Sequence, residues 1–278
     1  MKSLSITGSE QMIDSNFEVK YGTLKSLNNE VETHYCPGCE HGTLTRAIAY
    51  ALDKLNLYEK SVMIDSVGCS VLAYNYFHTD HVQAPHGRAS AIASGIKRIR
   101  PDLNVFTVQG DGDALAIGLS ETIWTALRGT PVTVFLVNNS IYGMTGGQMA
   151  PTTIPKQVTT TSPEGRDSAM TGGPVDICRI LETIEGAAYV KRVSMVVEEN
   201  KVSAGKPYNV RHVMETYKTV ENAFKVQQMG GYAFVELMST CNINWKMSIL
   251  DSKRYANEVI APYYPLKTFK DKFGVDSK

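Results

Sequence analysis

The chain has 278 residues, with 28 Lys or Arg set against 28 Asp or Glu, and 43% of it is apolar. The balanced charge gives no reason to expect a nucleic-acid or membrane-surface binder, and the apolar share supports a sizeable core. The first thirty residues are polar and mixed with no apolar signal-peptide core, and the longest apolar runs are strand-sized, so a soluble cytoplasmic protein is expected, its five cysteines being thiols or metal ligands rather than disulfides.

In chain order, TLTRAIAYALDKL (43–55) has helical periodicity, with Thr43 placed to cap it. SVMIDSV (61–67) reads as a buried strand, GRASAIASGIKRI (87–99) as a helix and NVFTVQ (104–109) as a second strand. LAIGLSETIWTAL (115–127) is helical, and VTVFLV (132–137) is a third strand. A long Thr/Pro-rich loop, 149–167, follows, and its length makes it a candidate functional loop. PVDICRILETI is helix-like, NVRHVMETYKTVENAFKVQQM (209–229) is helical, and YAFVELM (232–238) is a strand. The alternation predicts an α/β fold: a doubly wound, mostly parallel sheet with helices on both faces. One domain is expected over 1–248, with a weakly patterned C-terminal extension, 249–278, placed to wrap a partner chain. There is no internal repeat.

In such sheets, ligands sit beyond the carboxyl ends of the strands. QGDGDALAIG (109–118) and VNNSIYGMTGGQ (137–148) both follow predicted buried strands. Gly110 and Gly112 let the backbone approach a phosphate closely. Asp111 offers a hard carboxylate and Asn139 an amide oxygen. With the carbonyl of Ile141, they leave room for diphosphate oxygens and water around an octahedral magnesium ion. The helix starting near Asp113 points its amide-rich end at the same anion. An ordinary pair of turns would also contain GDG alone. GDG followed one helix and one strand later by NN resembles the thiamine-diphosphate fingerprint, with Asp111 and Asn139 at its metal-ligand positions.

Cys36 and Cys39 stand in HYCPGCEHGT (34–43), Cys69 follows the first strand, and Cys241 follows the last. All four can reach the edge that carries the magnesium residues. Zinc also takes four thiolates, so the spacing alone does not choose the metal. The thiamine context does favour a 4Fe–4S cluster: decarboxylation of a 2-oxo acid on thiamine diphosphate releases electrons, which a cluster takes singly and zinc does not.

Nearly the whole chain resembles the β subunit of the 2-oxoacid:ferredoxin oxidoreductases, through YCPGCEHG, VGCS, APHGRA, GDGDALAIG, NNSIYGMTGGQMAPTT and STCNINW. The resemblance implies thiamine diphosphate, magnesium and one 4Fe–4S cluster held by Cys36, Cys39, Cys69 and Cys241. Asn242 stands where the family often has proline after the last of these. Cys178 matches no ligand position and is expected to pack as a small hydrophobe. The resemblance also implies a cofactor contact for Cys69, Ser70, Met144 and Thr145, and a catalytic contact with diphosphate or substrate for His86. Arg88 is a weaker candidate, and His41 is expected only to pack nearby.

The implied reaction is coenzyme-A-dependent oxidative decarboxylation of a 2-oxo acid, with electrons passing to ferredoxin. The family stretches look most like the 2-oxoisovalerate members. Ser70, Val71, Leu72 and Ala73 put no cation after Cys69 to pair a second substrate carboxylate. Pyruvate and 2-oxoglutarate are the competing substrates. A non-redox thiamine-dependent decarboxylase and a zinc-stabilised scaffold are the competing classes. Too few strand–helix units remain after residue 140 for a second α/β domain. An α subunit carrying the pyrimidine-binding domain is therefore expected, and the family adds a ferredoxin-like chain.

Overall fold

A computed structural model describes residues 23–199 and 208–277. The N-terminal stretch read for a secretory core lies, up to residue 22, outside them. Seven strands form one sheet: β1 (Ser61–Asp65), β2 (Asp80–Gln83), β3 (Asn104–Gly110), β4 (Thr133–Asn138), β5 (Ala187–Ser194), β8 (Tyr232–Met238) and β9 (Lys267–Asp271). Their order is β2-β1-β3-β4-β8-β5-β9, and every pairing is parallel except that of β9 with β5. Two short strands, β6 (Glu198–Glu199) and β7 (Tyr208–Asn209), pair separately.

β1, β4, β5 and β8 are buried at every position, as expected of parallel strands covered on both faces. Helices α1 (His41–Lys54) and α6 (Arg211–Gln228) cover one face. There Phe106, Phe135 and Phe224 meet edge to face at centroid distances of 5.4 to 6.4 Å. Truncating one such buried ring to Ala costs about 3–5 kcal/mol. Helices α2 (Ala89–Ile99), α3 (Leu119–Leu127) and α5 (Ile177–Glu182) cover the other face over Val105, Val134 and Leu136. A short helix, α4 (Ser168–Thr171), lies between α3 and α5 in the chain.

Three differences from the sequence reading have physical causes. α1 begins at His41, and Glu40 occupies the capping position without a side-chain cap, so Thr43 lies within the first turn rather than before it. The helix expected over 115–127 is broken into a π-helical turn (Gly112–Ile117) and α3. At the break, Gly118 packs so tightly that a Cβ there would fall 2.5 Å from the Gly87 carbonyl oxygen. β5 escaped notice because it carries Lys191 and Arg192, both buried. Their charges are met inside the fold: Lys191 Nζ reaches Glu215 at 2.5 Å and Asp276 at 3.0 Å. Arg192 pairs Glu236 at 2.8 Å and also binds Asp176.

Residues beyond 248 fold back on this chain's own sheet. α7 (Ile249–Tyr255) leads through a π-helical turn (Ala256–Ile260) to Tyr264 and then to β9 at the sheet edge. The Tyr264 hydroxyl donates to the Thr152 carbonyl at 2.6 Å, which ties this segment to the Thr/Pro-rich loop.

Candidate cofactor and cluster site

The parallel order brings the ends of β1, β3, β4 and β8 to one edge, and every motif residue after these strands lies there. After β4, Ser140 takes a left-handed conformation (φ 58°) and is buried. That turn is held from two sides. Asn138 Oδ1 accepts from the Ser140 N–H at 3.1 Å, while Asn138 Nδ2 donates to Glu236 at 2.7 Å. Thr153 Oγ1 donates to the Ser140 carbonyl at 2.7 Å. Asn139 and Ile141 then line the same cavity as Asp111, a space of ≈ 180 Å³ beside Gly110 and Gly112.

Asp111 is buried, and its oxygens accept from the Gly112 N–H at 2.8 Å and from the Thr152 hydroxyl. Burial without a cationic partner pushes its carboxyl up to about 7. A divalent cation would supply the positive partner of this buried carboxylate, and the oxygens of Asp111, Asn139 and Ile141 are of the type magnesium takes. The residues present therefore fit the ion. Gly112 fits a close approach in another way: a Cβ there would fall 2.7 Å from the Tyr142 ring.

His86 lines this cavity and gives Nδ1 to Asp113 at 2.7 Å. Asp113 also accepts from the Gly87 N–H at 2.8 Å and from Gln109 Nε2 at 2.6 Å. Its carboxylate thus orients His86 and leaves Nε2 as the free ring nitrogen. Arg88 is spent elsewhere, on Glu121 at 2.6 Å. Ser70 does not line the cavity: it donates to the Val108 carbonyl at 2.8 Å, so its hydroxyl secures the Cys69 loop to β3. Met144 and Thr145 do line it.

Cys36, Cys39, Cys69 and Cys241 line a neighbouring cavity of ≈ 270 Å³. All are free thiols. Burial pushes Cys39 up to about 12 and Cys69 up to about 11, and it raises Cys241 as well. Thiols in that state bind metal by releasing their protons. Among the described residues, no group of three or more His, Cys, Asp or Glu side chains is arranged to hold one metal ion. The four thiols line one cavity, and four thiolates are the donor set an iron–sulfur cluster takes. Gly143 separates them from the loop that carries Asn139. A Cβ there would fall 3.3 Å from Cys69 Sγ and 3.6 Å from both Cys241 Sγ and Asn139 Nδ2.

Comparison with known proteins matches this geometry. Residues 66–206 match the thiamine pyrophosphate enzyme C-terminal TPP binding domain. The chain is 42% identical to the ketoisovalerate oxidoreductase subunit VorA of Methanothermobacter thermautotrophicus over 241 residues, 86% of this chain and 48% of that protein. It is 32% identical to the 2-oxoglutarate synthase subunit KorB of Archaeoglobus fulgidus over 227 residues, 81% of this chain and 76% of that one. The chain belongs to the 2-oxoacid:ferredoxin oxidoreductase family. It spans about half the length of the ketoisovalerate relatives it matches. Its fold is that of the 2-oxoglutarate:ferredoxin oxidoreductase from Magnetococcus marinus, solved with 2-oxoglutarate, coenzyme A and succinyl-CoA bound. The TM-score is 0.69 at 24% identity, over 91% of this chain and 86% of that one.

For a member of this oxidoreductase family, several side chains that sequence reasoning gave no role shape the site. His41 is buried and lines both cavities; burial, helped by His34, lowers its ring to about 4, so it stays neutral. Thr152, in the Thr/Pro-rich loop, reaches Asp111 across 41 residues. Arg166 holds that loop in shape, donating to the carbonyls of Pro151, Thr153 and Gly173 at 2.5 to 3.1 Å. Asn244 donates to Cys241 Sγ at 3.2 Å and to the Gly143 carbonyl at 2.8 Å. An amide three residues after a candidate ligand cysteine is a sequence signal for this contact. Cys178 is more than a small hydrophobe, since its thiol lies 3.1 Å from Glu236 Oε2.

Proposed function

We propose that this chain is the thiamine-diphosphate- and cluster-binding subunit of a complex that converts a 2-oxo acid and coenzyme A to acyl-CoA and carbon dioxide. Two electrons pass one at a time to ferredoxin, and for each 2-oxo carboxylate consumed the coenzyme A thiol releases one proton. The observation that carries this reading is that the two cavities share walls: His41, Cys69, Asn139, Gly143 and Met144 line both. Thiamine diphosphate supplies the electron sink for decarboxylation, and a 4Fe–4S cluster beside it supplies a one-electron acceptor. Asp111, Asn139 and the Ile141 carbonyl would hold the magnesium that anchors the diphosphate. The glycine backbone at 110 and 112 leaves it room. His86, with its tautomer fixed by Asp113, offers Nε2 for a proton at the diphosphate or substrate. Cys36, Cys39, Cys69 and Cys241 would hold the cluster. Five free thiols suit a reducing cytoplasm, and among the described residues no helix is long and apolar enough to cross a membrane.

The preferred substrate is 2-oxoisovalerate or another branched 2-oxo acid. Among the described residues, no Lys or Arg lines the cofactor cavity, which disfavours a substrate with a second carboxylate. The identity to a ketoisovalerate oxidoreductase subunit agrees. Pyruvate is the nearer competitor, because an apolar pocket separates small alkyl groups only modestly. The activating glutamate and the pyrimidine-binding domain come from an α subunit, with a ferredoxin-like chain in the same assembly. The test is an anaerobic assay of the assembled complex on a panel of 2-oxo acids, following coenzyme-A-dependent dye reduction. Higher kcat/KM for 2-oxoisovalerate than for 2-oxoglutarate is expected, and the reverse order overturns the substrate assignment. Carbon dioxide release without dye reduction would point to a non-redox decarboxylase. Zinc in place of iron in anaerobically purified protein would point to a scaffold.

A further inference from the structure

Glu40 follows Cys39 directly and is buried. Its Oε2 accepts three hydrogen bonds from the segment just before Cys241: Ser239 Oγ at 3.1 Å, the Thr240 N–H at 2.7 Å and Thr240 Oγ1 at 2.9 Å. The two partners are 200 residues apart in sequence. Thr240 Oγ1 returns a bond to the Gly38 carbonyl at 3.2 Å, so the clamp closes on both sides of Cys39. Oε1 faces Lys253 of α7, whose Nζ stands 3.4 Å away with its side chain 21% exposed. Every contact to the carboxylate is a donor, as suits an anion. A carboxylate beside one ligand cysteine, bonded to the residue beside another, is more than a loop tie. Glu40 is a buried acidic side chain joined to two residues that line the cluster cavity, Cys39 by sequence and Thr240 by hydrogen bonds, and the cation facing it is the more exposed Lys253.

We propose that Glu40 and Lys253 together set the reduction potential of the cluster, Glu40 lowering it and Lys253 raising it. This rests on the assignment of the cluster to Cys36, Cys39, Cys69 and Cys241. Adding an electron beside a buried anion is disfavoured because the low-dielectric interior screens the repulsion poorly, and net charge around a cluster is one of the levers on its potential. A more reducing cluster passes its electron more readily to a low-potential acceptor, which is where the overall reaction sends it. A neutral tie between loops would hold the same geometry without this effect.

The experiment uses the complete complex, purified anaerobically, with Glu40→Gln and Lys253→Met made separately. Iron per complex is measured first, then the cluster midpoint potential by dye-mediated titration followed by electron paramagnetic resonance. Glu40→Gln keeps the size and an acceptor oxygen, so iron is expected to stay and the potential to rise. Lys253→Met is expected to lower it. Opposite shifts are the signature of charge. Shifts in the same direction, or no shift in either variant, overturn the proposal. If Glu40→Gln fails to hold iron, Lys253→Met decides alone: a lowered potential supports the proposal, and an unchanged or raised one overturns it. Cys69→Ala is the control for the cluster assignment itself, because iron retained there would sink that assignment whatever the potentials show.

Discussion

Replacing Asp111 by Asn separates two consequences of burying a carboxylate without a cation. The carboxyl stands at about 7 in the fold against an ordinary 3.8. Between these values the folded chain holds a proton that the unfolded chain has lost. Stability therefore falls as pH rises across that window and levels off above about 7. Three units at 1.36 kcal/mol each set a limit of about 4 kcal/mol on this penalty in the metal-free chain. Asn removes the charge but replaces one acceptor oxygen with a donor. If the Thr152 hydroxyl turns to accept, about 1 kcal/mol of hydrogen bonding is at stake. Asp111→Asn is thus expected to be more stable than the parent chain by about 3 kcal/mol at pH 8, and nearly equal to it at pH 4. The assay is urea unfolding of chain stripped of divalent cations, at several pH values. Added magnesium should reverse the order at pH 8, since it binds only the folded parent and stabilises it by mass action. Equal stability at pH 8, or equal magnesium stabilisation of the two chains, would refute the reasoning.

Other outcomes follow from the same geometry. Cys69→Ala and Cys241→Ala should lose iron and the broad visible absorbance, whereas Cys178→Ala should keep both. That variant removes a thiol bond to Glu236, worth about 1 kcal/mol, together with a buried sulfur of the core, so thermal unfolding should show a loss of at least about 1 kcal/mol. Arg192→Met should destabilise the chain by about 3–5 kcal/mol in denaturant titration, because it strands the buried Glu236 carboxylate. The chain expressed alone, with reconstituted cluster, magnesium and thiamine diphosphate, should show no coenzyme-A-dependent decarboxylation. Turnover matching the complex would place the activating carboxylate in this sequence.

The central strands were legible because burial on both faces leaves an unbroken apolar run, as in β4 and β8. Edge strands β2 and β9 are short and polar, and β5 hides its place behind two cations that only the fold can pair. At the site, residues directly after strands announced themselves, because a parallel sheet sends all its carboxyl ends to one edge. Asp111, Asn139, Cys69 and Cys241 were readable for that reason, and Cys36 and Cys39 through their close spacing just before α1. What holds them was not. Thr152 meets Asp111 from a loop, and Glu40 meets Thr240 from across the chain. Asn138 looked like half of a paired motif, yet its side chain shapes the turn that presents its neighbour. Ser70 carried a cofactor expectation through its proximity to Cys69, while its hydroxyl is used on β3.

The most direct test of the whole account is anaerobic oxidation of 2-oxoisovalerate by the assembled complex, comparing the parent with Asp111→Ala and Cys241→Ala. Acyl-CoA, carbon dioxide and reduced ferredoxin are quantified together. The parent should form them in the ratio one to one to two, Asp111→Ala should form none, and Cys241→Ala should lose ferredoxin reduction along with its iron. Full ferredoxin reduction by Cys241→Ala, or acyl-CoA formation undiminished in Asp111→Ala, would contradict it.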